Sequence, residues 1–152
     1  MMRSRPFAGI RRTSGRMEPL EQLRAKITNF PGYGGDAERR LSDEYVRSYL
    51  GEALANMPAR DALPPELQQR LDDLIVRTAF ADPRLFPERR RLSNAVDSEE
   101  ALAGADLDTV EVADRAKSVD ASSAAAYLDR VTACLDARDA AMRAQVARAA
   151  SV

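Results

Sequence analysis

The C-terminal stretch constrains the fold most. From about Asp120 or Ala121 to Ala149 the chain is rich in Ala, a strong helix former, and Tyr127, Leu128, Val131, Cys134, Leu135, Met142 and Val146 fall on one stripe at helical spacing. Asp129, Asp136, Asp139 and Arg143 lie mostly elsewhere. A helix of that length needs helical partners, and the composition supplies them. The 45% apolar fraction is carried by Ala, Leu and Val, with 5% aromatic residues and no Trp, in a chain of 152 residues. The expectation is an all-α fold: a bundle of four or five helices in one domain, with a long C-terminal helix and a disordered N-terminal arm.

Three further helices are legible upstream. Pro19 suits a first turn, and Leu20, Leu23, Ile27 and Phe30 recur along one face, predicting a helix from about Glu18 to Asn29. Pro31-Gly32-Tyr33-Gly34-Gly35 stops it, and Asp36 is the expected N-cap of the next. That second helix, about Asp36 to Met57, gathers Tyr45, Val46, Tyr49, Leu50, Ala53, Leu54 and Met57 within half its circumference. Pro65-Glu66 opens a third, with Leu67, Leu71, Leu74, Ile75 and Thr78 as its buried face. Residues 17–80 thus form a three-helix region. Residues 81–104 lack a strong period and read as a long connection, too long to be wholly structureless inside a compact domain. Residues 105–150 form a C-terminal helical hairpin, its first helix capped by Asp106 or Asp108 and running to about Ser118.

Residues 1–16 carry five Arg and no acid, without helical periodicity. They read as a disordered basic arm or as translation upstream of the true start at Met17. Without them, 18 basic residues against 24 acids leave a net charge of −6, whereas the whole chain stands at −1. Neither value provides the field that draws a protein to nucleic acid or acidic membranes. Arg89-Arg90-Arg91 is the one internal basic run, and without interleaved aromatics it reads as a solvated loop; nucleic-acid binding is the weakest of the functional readings. No apolar run reaches the ~20 residues of a membrane helix, so a cytoplasmic location is expected.

Histidine is absent and Cys134 is the single cysteine. Ser-His and Cys-His nucleophile pairs, disulfides within the chain and thiolate metal clusters are excluded together. Cys134, on the apolar stripe, reads as a small buried residue. The expectation is a protein that is not an enzyme and holds neither cofactor nor metal.

Two constellations remain. Arg39, Asp43 and Arg47 are spaced i, i+4, i+8 and form a ladder beside Leu50 and Leu54. With Arg40, Tyr33 and the Gly-rich turn they read either as an internal salt-bridge stripe, the favoured reading, or as a small-anion site at a helix N-terminus. The second is Arg138, in mid-stripe between Leu135 and Met142. It could pair with an acid such as Asp43, touch a partner, or lie where the helix projects beyond the core, and the projecting helix is favoured. The long Ala-rich helix offers a binding face, and Val131, Leu135, Arg138, Met142 and Val146 form the expected interface for a protein partner or a second copy. The leading functional expectation is a non-enzymatic interaction or scaffold protein; a small-anion-binding module is the alternative.

The FPGYGG run at 30–35, Glu38-Arg39-Arg40, Asp43, Arg47 and Gly51-Glu52-Ala53-Leu54 resemble a group of uncharacterised bacterial helical proteins sharing an FPGY-G-x(n)-RR-x-x-D-x-x-x-R pattern. Ala113-Asp114-Arg115-Ala116, Ala125-Ala126-Tyr127-Leu128 and Leu135-Asp136-Ala137-Arg138-Asp139 add to the likeness. The resemblance implies a helical fold and no activity.

Overall fold

The computed structural model describes residues 18–82 and 96–151, with side chains from 99 onward in the fourth helix and up to 144 in the fifth. Residues 1–16, the Arg89–Arg91 run and the side chain of Val146 lie outside the described residues. Five α-helices and no strand are found among those described: α1 Pro19–Lys26, α2 Asp36–Ala55, α3 Pro65–Ala79, α4 Val96–Asp114 and α5 Ala124–Ser151. Short 3₁₀ turns at Arg60–Ala62 and Ala116–Ser118 follow α2 and α4.

The first helix ends earlier than its apolar spacing predicts, because Asn29 takes φ 63° and turns the chain. Gly32 follows at φ 90°. Arg24 reaches back from α1 to the carbonyls of Phe30 (3.3 Å) and Pro31 (3.2 Å), fastening this reversal. The N-cap of α2 is Gly35, not Asp36, which sits in the first turn, where its charge complements the helix dipole. Later in the chain, Asp120 lies ahead of the turn that leads into a helix rather than beginning it. Its carboxylate accepts from the Ser123 N–H (2.9 Å) and the Ser122 hydroxyl (2.7 Å), and α5 starts at Ala124.

The expected long connection is the main correction. Helix α4 begins at Val96, so residues 96–104 are its first turns, and Asp106 is buried in mid-helix instead of capping one. Leu102, Ala103, Asp106, Leu107, Thr109, Val110, Val112 and Ala113 face inward. Only Leu102 and Ala103 of these eight precede Asp106, and among Asp97, Ser98, Glu99, Glu100 and Gly104 they are too few to mark a helical period.

Helix α4 packs against α5, α1 and α2, while α3 packs on α2 and α5. The core has two apolar clusters. One joins Leu50, Leu54, Leu71, Leu74, Val112, Leu128, Val131 and Leu135; the other joins Leu23, Phe30, Tyr33, Val46, Leu102, Val110 and Met142. On α5, Arg138 stands between them, flanked by Leu135 of the first and Met142 of the second. The C-terminal stripe is therefore filled by intramolecular packing. Val131, Leu135 and Met142 are buried against the chain's own helices and present no exposed face to a partner.

Candidate functional site

Arg138 is 2% exposed and does not project beyond the core. Its Nε donates to Asp106 Oδ1 at 2.8 Å, and its Nη2 lies 2.7 Å from Asp43 Oδ1, an ion pair off the line of a good hydrogen bond. The Tyr33 hydroxyl donates to the other oxygen of Asp106 at 2.6 Å, and Arg47 Nε donates to the other oxygen of Asp43 at 2.8 Å. Arg47 also reaches the Thr78 carbonyl, at 3.1 Å, on α3. One guanidinium from α5 thus ties acids on α2 and α4, with a phenol from the turn and a second guanidinium closing the ends. Burying such charges is tolerable only because each has an opposite partner at hydrogen-bond range.

The neighbours set the protonation states. Burial pushes the Tyr33 phenol far up, and the adjacent Asp106 pushes it further, so it remains a donor. Burial pulls the Arg138 guanidinium down, but Asp106 and Asp43 more than restore it, and it stays charged. Burial likewise pushes the Asp106 carboxyl up, against the pull of Arg138 and of the hydrogen bond from Tyr33.

The ladder on α2 is an internal one in its Asp43–Arg47 rung. Arg39 is buried and turns to Asp36 (3.4 Å) and Glu99 (3.8 Å), whereas Arg40 is exposed. Tyr33, Arg39, Arg40 and Arg47 therefore do not converge on one point, and the Gly-rich turn is closed by Ser42, whose hydroxyl donates to the Gly32 carbonyl at 2.6 Å. Asp106 is the member of the network that sequence reasoning missed. Its signal was the spacing Leu102, Asp106, Val110, an acid at an apolar helical position, the counterpart of Arg138 between Leu135 and Met142.

Beside the buried network lies a cavity of about 270 Å³ between α2, the end of α3 and α5. Arg47, Arg77, Arg138 and Arg143 line it with Asp43, Asp82, Asp139, Phe80 and Leu135. Arg77 bridges Asp136 and Asp139, both at 2.9 Å, and its guanidinium is raised by those hydrogen bonds although burial opposes this. Asp136 and Asp139 are thus both ion-paired, Asp136 while largely exposed and Asp139 while half-buried. Arg70 and Asp129 make a similar bridge at 2.7 Å one segment earlier. Among the described residues Arg143, which is exposed, makes no ion pair. The cavity is consequently lined by four cations and three anions; Asp43 and Asp139 are held by arginine, and Asp82 is engaged as well.

Cys134 is buried, its thiol pushed up by burial, with Sγ 3.8 Å from the Asp108 carbonyl. It is a packing residue. Among the described residues no group of three or more His, Cys, Asp or Glu is placed to hold a metal, and no helix is long and apolar enough to cross a membrane.

Fold and site together define a class: an all-helical bundle built round a buried ion network, with an arginine-lined cavity at its edge. No protein-family model, no curated protein and no solved structure matches the chain.

Proposed function

We propose that this protein is a non-catalytic, cytoplasmic binder of a small anion, with the cavity between α2, α3 and α5 as its site. The observation that supports this reading is the charge inventory of that cavity. Its carboxylates on α2 and α5 are neutralised in place, while Arg143 faces it with no ion pair among the described residues. Arg138 is held from behind by Asp43 and Asp106, so its orientation is fixed before any ligand arrives. Planar guanidinium groups match carboxylate and phosphate oxygens in pairs. The site is displaced from the turn at Tyr33 and retains Asp43 and Arg47 of the stripe expected from the sequence. The interaction or scaffold reading loses the exposed stripe on which it rested, and the resemblance to bacterial helical proteins brings no activity with it.

An anion bound to the native state alone should raise stability by about 1.4 kcal/mol at ten times its dissociation constant. Thermal unfolding of the full chain in inorganic phosphate, against chloride at equal ionic strength, checks this. Arg143→Gln should remove the phosphate-specific shift while leaving the melting temperature in chloride within about 2 °C, since surface substitutions rarely change stability by more than ~0.5 kcal/mol. An equal shift in both salts, or one unaffected by the substitution, would remove the cavity from consideration.

A further inference from the structure

Resting on that reading, we infer that the ligand is an organic anion: an acid headgroup held in the arginine cavity, carrying an apolar or aromatic body that covers Phe80. Phe80 closes α3 with its ring 74% exposed, the most exposed large apolar side chain among the described residues. It lines the arginine cavity and also a second groove, of about 440 Å³, between α2 and α3. The two spaces meet at Phe80 and Arg47, which line both. Ile75, Thr78, Ala79 and Gly51 also line the groove. A Cβ on Gly51 would stand 2.7 Å from the Thr78 hydroxyl, so the close approach of α2 and α3 that shapes this wall requires glycine there.

Size and charge point the same way. A cavity of 270 Å³ is room for about nine water molecules at ~30 Å³ each, so one inorganic oxyanion would leave most of it wet. The joined spaces fall in the ~300–1,000 Å³ range of small-molecule sites. Charge is divided between them. The cavity has Arg143, which makes no ion pair among the described residues, whereas the groove carries Glu44 and Glu52 at exposed positions and no cation other than Arg47, which is occupied by Asp43. An anionic group is favoured only at the cavity end, and what extends past Phe80 into the groove carries no negative charge. The ring offers such a body an apolar face that is otherwise in water.

Calorimetric titration of the full chain with two matched pairs, inorganic phosphate against phenyl phosphate and acetate against benzoate, tests this. In at least one pair the aromatic member should bind tenfold tighter or better, about 1.4 kcal/mol. Phe80→Ala should erase that ratio and leave the affinity for the small member unchanged, and Arg143→Gln should weaken both members. The side chain is mostly in water, so the melting temperature of the Phe80→Ala protein should match the parent's, which separates lost binding from lost folding. Equal affinities within both pairs, or a ratio that survives Phe80→Ala, would overturn the organic-anion inference while leaving the anion site standing. Absence of binding by all four probes would overturn both.

Discussion

Arg138→Met will destabilise the protein by about 3–5 kcal/mol, the usual result of removing one partner from a buried ion cluster. Methionine nearly matches the arginine stem in length and fills the space between Leu135 and Met142, so a cavity is not the main effect. What is lost is the counter-charge of Asp106, whose remaining partner is the Tyr33 hydroxyl, and half the neutralisation of Asp43. Against a total stability of ~5–15 kcal/mol this is a large share. Urea unfolding followed by circular dichroism gives the number directly. The triple variant Tyr33→Phe, Asp106→Leu, Arg138→Met removes the orphaned groups together and leaves the Asp43–Arg47 pair intact. It should be more stable than the single variant and recover folding if Arg138→Met alone does not fold. A single variant within 1 kcal/mol of the parent would show that the cluster is not the buried junction described above.

The second large effect is alkaline. Burial raises Tyr33 far above the ordinary phenol value of about 10, and Asp106 raises it further; burial also pushes Tyr127 up to about 12. Tyr127 is buried and donates to the Val112 carbonyl at 2.6 Å. Both native pKa values exceed the unfolded ones, so the native state binds more protons than the unfolded state above pH 10. Stability from these groups is intact below pH 10 and falls as pH rises, by about 1.4 kcal/mol per pH unit for each phenol, or roughly 2.7 for the two. By pH 11.5 the loss approaches ~4 kcal/mol. Tyr49, pushed up to about 12 by burial and its hydrogen bond to Asp114, is more exposed and adds a screened, smaller share. Urea unfolding at pH 8, 10, 11 and 11.5, with phenolate absorbance recorded in parallel, should show a steep fall in midpoint and ionisation that coincides with unfolding. Tyr127→Phe should flatten the slope by about half. A midpoint unchanged to pH 11.5 would contradict the buried donors.

How much of this was legible in the sequence depended on whether a helix's buried face is apolar. Helices α2, α3 and α5 were found because Leu, Val and Ile at helical spacing mark their inner faces. The start of α4 was missed because, of residues 99–104, only Leu102 and Ala103 are buried, and Asp97, Ser98, Glu99, Glu100 and Gly104 around them leave too few apolar positions to mark a period. Arg138 was conspicuous, but its partners sit 32 and 95 positions earlier in the chain, and a pairing across that distance depends on which helices the topology brings together. The arginine cavity was not legible for the same reason. Arg77, Arg138 and Arg143 come from α3 and α5, and nothing local to either segment marks them as neighbours. The buried aspartate at 43 was flagged through its ladder with Arg47, a spacing that one helix provides by itself.

The polar junction at Arg138 also bears on how α5 is aligned with its neighbours. On the inner face of α5, Leu128, Val131 and Leu135 recur every three or four positions, so a slide by a whole turn would set one apolar side chain where another had been. Sliding by one residue would turn Ala137 or Asp139 toward Asp43 and Asp106, leaving those acids uncompensated or adding a third. Sliding by a whole turn would carry the guanidinium into one apolar cluster or the other. Each alternative abandons several buried charges, whereas the native alignment satisfies them. One arginine in the middle of a low-complexity helix thereby fixes its register, a role well attested for lone polar residues in coiled coils.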